Sequence, residues 1–458
     1  MTLSENQAWD IDTQSSNPAT YYIKTFGCQM NVHDSERMAG LMSEAGYTPV
    51  SDPSSASVIL VNTCTVRDKA DQKALSDLGR LRLLKKDNPD TILAVTGCMA
   101  EREQGNLHRL MPEIDLIAGP SQVRNLLPML SDVRTQKKVL LGREYSLPEM
   151  TTPPAIRPAG ISALVTVQEG CDKSCAYCVV PMTRGGERSR SISSIVEEIS
   201  RLVEEGYREV TLLGQNVNGF GKGRESRGNE SFGDLLRAVN GIDGLLRVRF
   251  TTSHPSDMSD DMIDAMVHSK KVMPHFHLPI QSGSDEVLAR MQRGYTVSQY
   301  RSWALRLRNS LSEIALTTDL IVGFCGETEE EFSKTLDAVD EFQFDGAFCF
   351  IYSPRPGTPA HDWGDVPSRE ESVSRFQRLE ERLDAMILSK NRTRIGQVEE
   401  VLVERADFEK GRIGGRSPHF RHVRSLSSDR KNLPQPGEIV SVRIESCTKA
   451  GLEGRLLD

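Results

Sequence analysis

The chain has 458 residues, 38% of them hydrophobic and 26% charged, with a formal net charge of −8. That is ordinary soluble composition, with apolar material for a sizeable core and a length that suits about three domains. No window approaches the roughly 18 uninterrupted apolar residues of a membrane span, nine cysteines are too sparse for a disulfide scaffold, and the acidic balance argues against broad, non-specific nucleic-acid binding.

Residues 1–18 are polar and lack the charged and apolar regions of a signal peptide; they read as a disordered leader, which makes the cytoplasm the default compartment. Residues 19–135 alternate short β-branched runs with amphipathic stretches: strands at 21–26, 58–62, 92–96 and 114–118, helices at 32–45 and 66–86. This pattern predicts an open parallel βαβα domain. Cys28, Cys64 and Cys98 each lie just past a strand's C-terminal end. In an open parallel sheet those ends share one edge, where ligands sit. Three unrelated buried thiols would be the plain alternative, but the repeated placement favours a ligand set. Gly27 and Gly97 would permit the tight turns beside it.

Residues 136–156 hold Pro148, Pro153 and Pro154 without sustained periodicity, which suits a linker. Alternation resumes over 157–389, with strands at 163–168, 209–213, 246–251, 275–278, 315–322 and 346–351. Helices are expected at 193–205, 260–268, 298–310 and 327–342, followed by a long charged amphipathic helix at 369–394 that could pack across the strands. Six βα units predict a partial (β/α)6 barrel and not a closed eight-fold one. Residues 392–457 alternate as strands at 398–404 and 438–445 with Gly and Pro punctuation, so a small all-β, OB-like barrel is expected.

Within the central segment, Cys171, Cys175 and Cys178 form a C-x3-C-x2-C triplet. Three thiolates can hold three irons of a 4Fe-4S cube and leave the fourth iron open to a ligand. A zinc knuckle would want a fourth ligand nearby, and a disulfide pair would want an oxidising compartment; neither context is present. Cys325, Cys349 and Cys447 show no pattern and read as structural. Two basic stretches stand out: Arg80, Arg82, Lys85 and Lys86, and the tail's Lys410, Arg412, Arg416, Arg421, Arg424, Arg430 and Lys431. Either could be a solvated face. The second has Asp429 as its one acid and better fits a surface for phosphates.

The triplet, with Tyr177 before its last cysteine, resembles the signature of radical S-adenosylmethionine (SAM) enzymes. The runs Thr25-Phe-Gly-Cys-Gln-Met-Asn31, Asp34-Ser-Glu36 and Asn62-Thr-Cys-Thr-Val-Arg67 resemble the N-terminal domain of the methylthiotransferases, and the tail resembles a TRAM domain, a small RNA-binding barrel. The resemblance covers nearly the whole chain after the leader. With Val180-Pro-Met-Thr-Arg-Gly-Gly-Glu187 and Leu212-Leu-Gly-Gln-Asn216, it is closest to the branch that adds a methylthio group to carbon-2 of isopentenyladenosine beside a tRNA anticodon. It implies two 4Fe-4S clusters, an auxiliary one on Cys28, Cys64 and Cys98 and a radical-generating one on Cys171, Cys175 and Cys178. It also implies a SAM site at Gly214, Gln215, Ser253, Gln281, Ser282, Ile321 and Gly323.

The implied partners are tRNA, through an anticodon stem-loop carrying isopentenyladenosine, and an electron donor such as flavodoxin or ferredoxin, with a monomeric chain and no membrane. Arg412, Arg416, Arg421 and Arg424 are the expected phosphate contacts. The sequence departs from the wider pattern at Gly214-Gln215-Asn216, where many radical SAM enzymes have Gly-Gly-Glu, and at Cys325, where proline is more usual. It also has Ser417 where threonine is common. Two other readings stay open: methylthiolation of an aspartate in a ribosomal protein, and a non-catalytic iron–sulfur protein that binds RNA or senses redox state. His254, His275 and His277 read as hydrogen-bonded structure, and Arg184, Glu187 and Arg293 as loop residues of the solvated kind.

Overall fold

The computed structural model describes residues 19–65, 68–136, 140–141, 155–223, 230–426 and 432–457. The expected leader, most of the expected linker, and Arg430 and Lys431 lie outside them. The chain forms two compact units, Met1–Pro158 with Met182–Gly185, and Ala159–Pro181 with Gly186–Asp458.

In the first unit the order is β1 (Thr20–Thr25), α1 (Gln29–Glu44), β2 (Thr48–Pro49), β3 (Val58–Thr63), α2 (Asp68–Asp87), β4 (Ile92–Gly97), α3 (Cys98–Leu110), β5 (Leu116–Ala118), α4 (Leu126–Gln136) and β6 (Leu140–Leu141). The strands form one parallel sheet in the order β2-β1-β3-β4-β5-β6. Its centre is apolar on both faces because helices cover both. Leu60, Ala94 and Leu116 pack with Met38, Met42 and Leu126 on one side. Ile59, Val61, Leu93 and Val95 pack with Leu78 and Met99 on the other. The strand β6 pairs with β5 inside the stretch expected to be linker, so the sheet runs further along the chain than its proline content suggests. Helix α1 begins four residues after β1 ends, directly behind Cys28, earlier than its apolar periodicity indicates.

The second unit opens with β7 (Ser162–Thr166) and β8 (Gln168–Glu169), followed by α5 (Val180–Arg184), whose last turn belongs to the first unit, and β9 (Arg188–Ser189). It continues through α6 (Ile192–Glu204), β10 (Glu209–Leu213), α7 (Phe232–Asn240), β11 (Arg247–Phe250), α8 (Asp260–His268), β12 (His275–His277), α9 (Asp285–Arg290), α10 (Val297–Ser310), β13 (Ala315–Val322), α11 (Glu329–Phe342), β14 (Gly346–Ile351) and α12 (Arg369–Arg392). Strands β7, β10 and β11 form one parallel sheet, and β12, β13 and β14 another. A bridge between Val248 and Val272 joins them, giving the six-stranded partial barrel. Helix starts follow capping boxes, with Ser231, Thr296, Thr328 and Ser368 each bonding the backbone three residues on. Helix α12 buries Ser372, Arg375, Leu379 and Leu383 and closes one side of the barrel.

The remaining strands, β15 (Val398–Asp407), β16 (Arg412–Arg416), β17 (His422–Leu426), β18 (Ile439–Thr448) and β19 (Gly451–Leu456), close into a barrel ordered β15-β16-β17-β19-β18. It docks on the N-terminal ends of the larger barrel's strands. Arg247 and Arg249, 1% and 3% exposed, reach out from β11. Arg247 donates to the Arg416 carbonyl at 2.6 Å, and Arg249 to the Ser417 and Pro418 carbonyls at 2.9 and 3.0 Å. The Phe420 ring lies under the guanidinium groups of both Arg249 and Arg416 and stacks on His275. Ser417, fully buried, accepts the Arg421 backbone N–H through its hydroxyl, so the serine supplies the bond a threonine would.

Candidate active site: two cysteine sets

In the first unit, β1, β3 and β4 are adjacent and parallel, with Thr25 level with Asn62 and Thr63 level with Gly97. Their C-terminal ends therefore deliver Cys28, Cys64 and Cys98 to one edge. Gly27 has φ of +116°, and a Cβ there would stand 2.4 Å from Cys64 Cβ and 2.8 Å from its Sγ. Gly97 has φ of +94°, and a Cβ would meet the Thr63 carbonyl at 2.2 Å. Only glycine tolerates both the conformation and the approach. Asn31 ties the turns together: its Nδ2 donates to the Phe26 and Thr63 carbonyls at 2.9 and 2.8 Å, while Asn62 donates back to the Asn31 carbonyl at 2.8 Å. Cys28 Sγ faces Asn31 Oδ1 at 3.6 Å.

Arg184 was expected to be solvated; it is 7% exposed and donates to Asp34 at 2.7 Å and Asn31 at 3.3 Å. Burial pushes the Cys98 thiol above its usual pKa; the Arg184 guanidinium pulls the other way, and neighbouring Cys28 and Asp34 push up again. A thiol so placed keeps its proton unless something such as a bound metal supplies the drive to remove it.

In the second unit, Gly170 (φ +78°) turns the chain out of β8 into the triplet. Cys171 and Cys175 are buried and Cys178 is half-buried. Burial takes the Cys171 thiol up to about 12, with Cys178, Glu187 and Cys175 adding to it. Arg293, 6% exposed, donates to Cys175 Sγ at 3.1 Å and Tyr177 Oη at 3.3 Å. Glu187, 4% exposed, accepts from Asn216 at 2.7 Å. Both correct the solvated-loop expectation. Among the described residues no three Cys, His, Asp or Glu side chains close on a point where one metal ion would sit. A 4Fe-4S cube asks for a wider set, since each thiolate meets a different iron.

The expected SAM residues divide in two. Gln215 Oε1 accepts the Gly170 N–H, which ties β10's end to the triplet loop, while its Nε2 has no partner. Ser253 Oγ and Gln281 Oε1 are likewise buried and unpaired. Orphaned polar atoms at the ends of neighbouring strands are what a polar ligand would satisfy. Thr252 and Gln281 hold φ of +67° and +72°. Left-handed conformations are costly for such residues, and that cost concentrates at binding sites. Gly214 leaves room for the Gln168 amide, which a Cβ would meet at 2.5 Å. Ser282 is spent on structure, bonded to Thr335 and the Ser284 N–H. Gly323 makes room for Ser372 of α12, 2.5 Å from where a Cβ would sit. Ile321 packs with Ala176, Phe324 and Tyr177 beneath the triplet.

His254, expected as hydrogen-bonded structure, is that at Nδ1 and leaves one ring nitrogen over. It is 6% exposed, its Nδ1 accepts the Ser256 N–H at 3.3 Å, and its Nε2 is unpaired. No motif flagged it, because a lone histidine at a strand end has no spacing partner.

Residues 165–339 match the family model of the radical SAM superfamily, and residues 20–119 match an uncharacterized protein family, UPF0004. A solved structure of similar fold is the radical S-adenosylmethionine methyltransferase TsrM from Kitasatospora setae, with a TM-score of 0.57 at 13% identity over 75% of each chain. The family match thus gives the chain a radical SAM domain, and the solved structure shares its fold. Among curated proteins, the tRNA-2-methylthio-N(6)-dimethylallyladenosine synthase of Acidothermus cellulolyticus is 43% identical over 93% of this chain and 86% of its own. Those of Carboxydothermus hydrogenoformans and a Ruegeria species are 40% and 42% identical, over 96% and 97% of this chain and 99% and 100% of theirs. The chain belongs to the tRNA-2-methylthio-N(6)-dimethylallyladenosine synthase family.

Proposed function

We infer that the protein is a radical SAM tRNA methylthiotransferase that places a methylthio group on carbon-2 of N6-isopentenyladenosine beside the anticodon. The observation that carries this reading is likeness at 40–43% identity across both cysteine-bearing units and the tail. The substrate C–H bond is neither acidic nor open to ordinary nucleophiles, so side chains alone cannot replace it. When bound, two 4Fe-4S clusters and SAM would supply the one-electron chemistry, the sulfur and the methyl group.

The chain's own residues hold, orient and exclude. Cys171, Cys175 and Cys178 would ligate one cluster, with Arg293 donating to Cys175. Cys28, Cys64 and Cys98 would ligate the other. Gln215 Nε2, Ser253 Oγ and Gln281 Oε1, unpaired and buried, would bind polar groups of SAM. Gly214 and Ile321 shape the wall, while Ser282 and Gly323 hold the strand ends that present these groups. The tail, as a TRAM domain, would grip the anticodon stem-loop, whose unpaired bases unstack cheaply. A flavodoxin or ferredoxin would donate the electron to a monomeric chain.

The test is a pair of variants in reconstituted enzyme with a reductant. C175A should abolish both 5′-deoxyadenosine release and tRNA methylthiolation. C98A should still cleave SAM yet leave the nucleoside unmodified. Unmodified tRNA alongside a methylthiolated ribosomal protein, or intact clusters without SAM cleavage, would overturn the reading.

A further inference from the structure

Arg184 lies six residues beyond Cys178 in sequence, in the short stretch Met182–Gly185 that belongs to the first unit. It is 7% exposed, and a buried guanidinium is costly unless paired and hydrogen-bonded. Asp34 pairs with it at 2.7 Å and Asn31 accepts from it at 3.3 Å. A structural ion pair would end there. This cation, however, shares that second acceptor with a thiol: Arg184 Nη2 and Cys28 Sγ stand 3.3 and 3.6 Å from the same atom, Asn31 Oδ1. Asn31, its second acceptor, is the residue that faces Cys28 and ties the β1 and β3 turns. The Asp34 carboxylate stands on the other side of the balance, acting against a thiolate at Cys98.

We propose that Arg184 is a positioning residue for the cysteine set of the first unit, a fixed cation that sets the reduction potential of their cluster, with Asp34 as its counterweight. The proposal rests on the reading of Cys28, Cys64 and Cys98 as cluster ligands. Reduction adds one negative charge to the cluster, so a nearby cation favours the reduced state and a nearby carboxylate opposes it. Removing Arg184 leaves Asp34 uncompensated, and removing the charge of Asp34 leaves Arg184 uncompensated. The two changes must therefore act with opposite sign.

The test uses the full chain with C171A, C175A and C178A, so that any remaining cluster signal belongs to the first unit. Iron content and an EPR-monitored redox titration are read for R184Q, R184K and D34N. R184Q should lower the midpoint potential, D34N should raise it, and R184K, which keeps charge but loses the planar fork, should fall between R184Q and the parent. If R184Q does not fold, D34N alone carries the sign. Potentials that stay put, or move the same way in R184Q and D34N at parental iron content, overturn the proposal. A parent that binds no cluster overturns the ligand reading as well, whatever stands at position 184.

Discussion

At the scale of single residues, His254 shows how burial fixes a protonation state. The Ser256 backbone N–H can only donate, so Nδ1 is an acceptor and Nε2 carries the ring proton. Burial first, then the charges of Arg293 and Lys173, take the imidazole down to about 2. An unfolded histidine titrates near 6.5. Its folded pKa is depressed, so the native state keeps its advantage above about pH 6.5 and loses it as pH falls from there toward about 2. The denaturation midpoint in urea should therefore drop from pH 7.5 to pH 5, and drop less in H254Q. His275 and His419, also depressed by burial, leave the variant some acid sensitivity. Equal drops in the two proteins would remove His254 as a source. The same residue marks a limit of sequence reading: its role depends on a turn that brings Ser256 back over the ring. Arg293 and Glu187 eluded sequence reading for a related reason, since their partners are distant in the chain.

At the scale of elements, what the sequence disclosed followed burial. Strands of a covered parallel sheet are continuous apolar runs, so β10 and β13 coincide with the expected 209–213 and 315–322; β14 coincides with 346–351 on its apolar run alone, being part-exposed. The glycine-rich strands of the small barrel escaped. In β16 Gly415 sits where a Cβ would be 2.0 Å from the Leu402 carbonyl, and in β19 Gly454 sits 2.1 Å from the Arg443 carbonyl by the same measure. Close strand approach there demanded residues that read as turns. The convergence of Cys28, Cys64 and Cys98 was legible because strand ends in a parallel sheet share an edge. What was not legible is how little room that edge leaves. Gly27→Ala should force a strained φ and displace the Cys64 side chain; on the proposed two-cluster reading, reconstituted protein should stay folded by circular dichroism but keep about half its iron. Gly79→Ala in α2, where a Cβ meets nothing within 4 Å, is the control and should stabilise by about 0.5–1 kcal/mol. Full iron in Gly27→Ala would show that the edge does not need its glycine.

At the scale of the second unit as a whole, the small barrel and the cysteine triplet lie at opposite ends of the same strands. Arg249 with Glu209 of β10, His275 of β12 and Asp345 before β14 mark the N-terminal end where the tail docks. The triplet follows the C-terminal end of β7 and β8. A strand of eight residues such as β13 spans roughly 25 Å at ~3.3 Å per residue. An RNA held by the tail while its base enters at the triplet must cover about that distance, as a helical stem can. The tail's arginines then fall into two groups. Arg416 pairs with Glu404 at 2.9 Å and Arg421 with Asp345 at 2.7 Å, so two of the four expected phosphate contacts are committed to the fold. Arg412 and Arg424 are exposed, as is Arg405. Arg405 and Arg424 flank Gly414 in register across β15, β16 and β17, and a Cβ at Gly414 would meet nothing within 4 Å. This leaves an open basic strip beside bare backbone, suited to phosphate. Charge removal at Arg405, Arg412 or Arg424 should weaken tRNA binding across sequences and reduce the salt slope of log K by about 1 per residue, with the thermal midpoint unchanged. Arg416→Ala and Arg421→Ala should instead lower the midpoint. Deleting the tail would not separate these effects, because buried Arg247 and Arg249 would lose their acceptors. If the three exposed arginines can go without change in affinity or salt slope, the strip is not where the tail holds RNA.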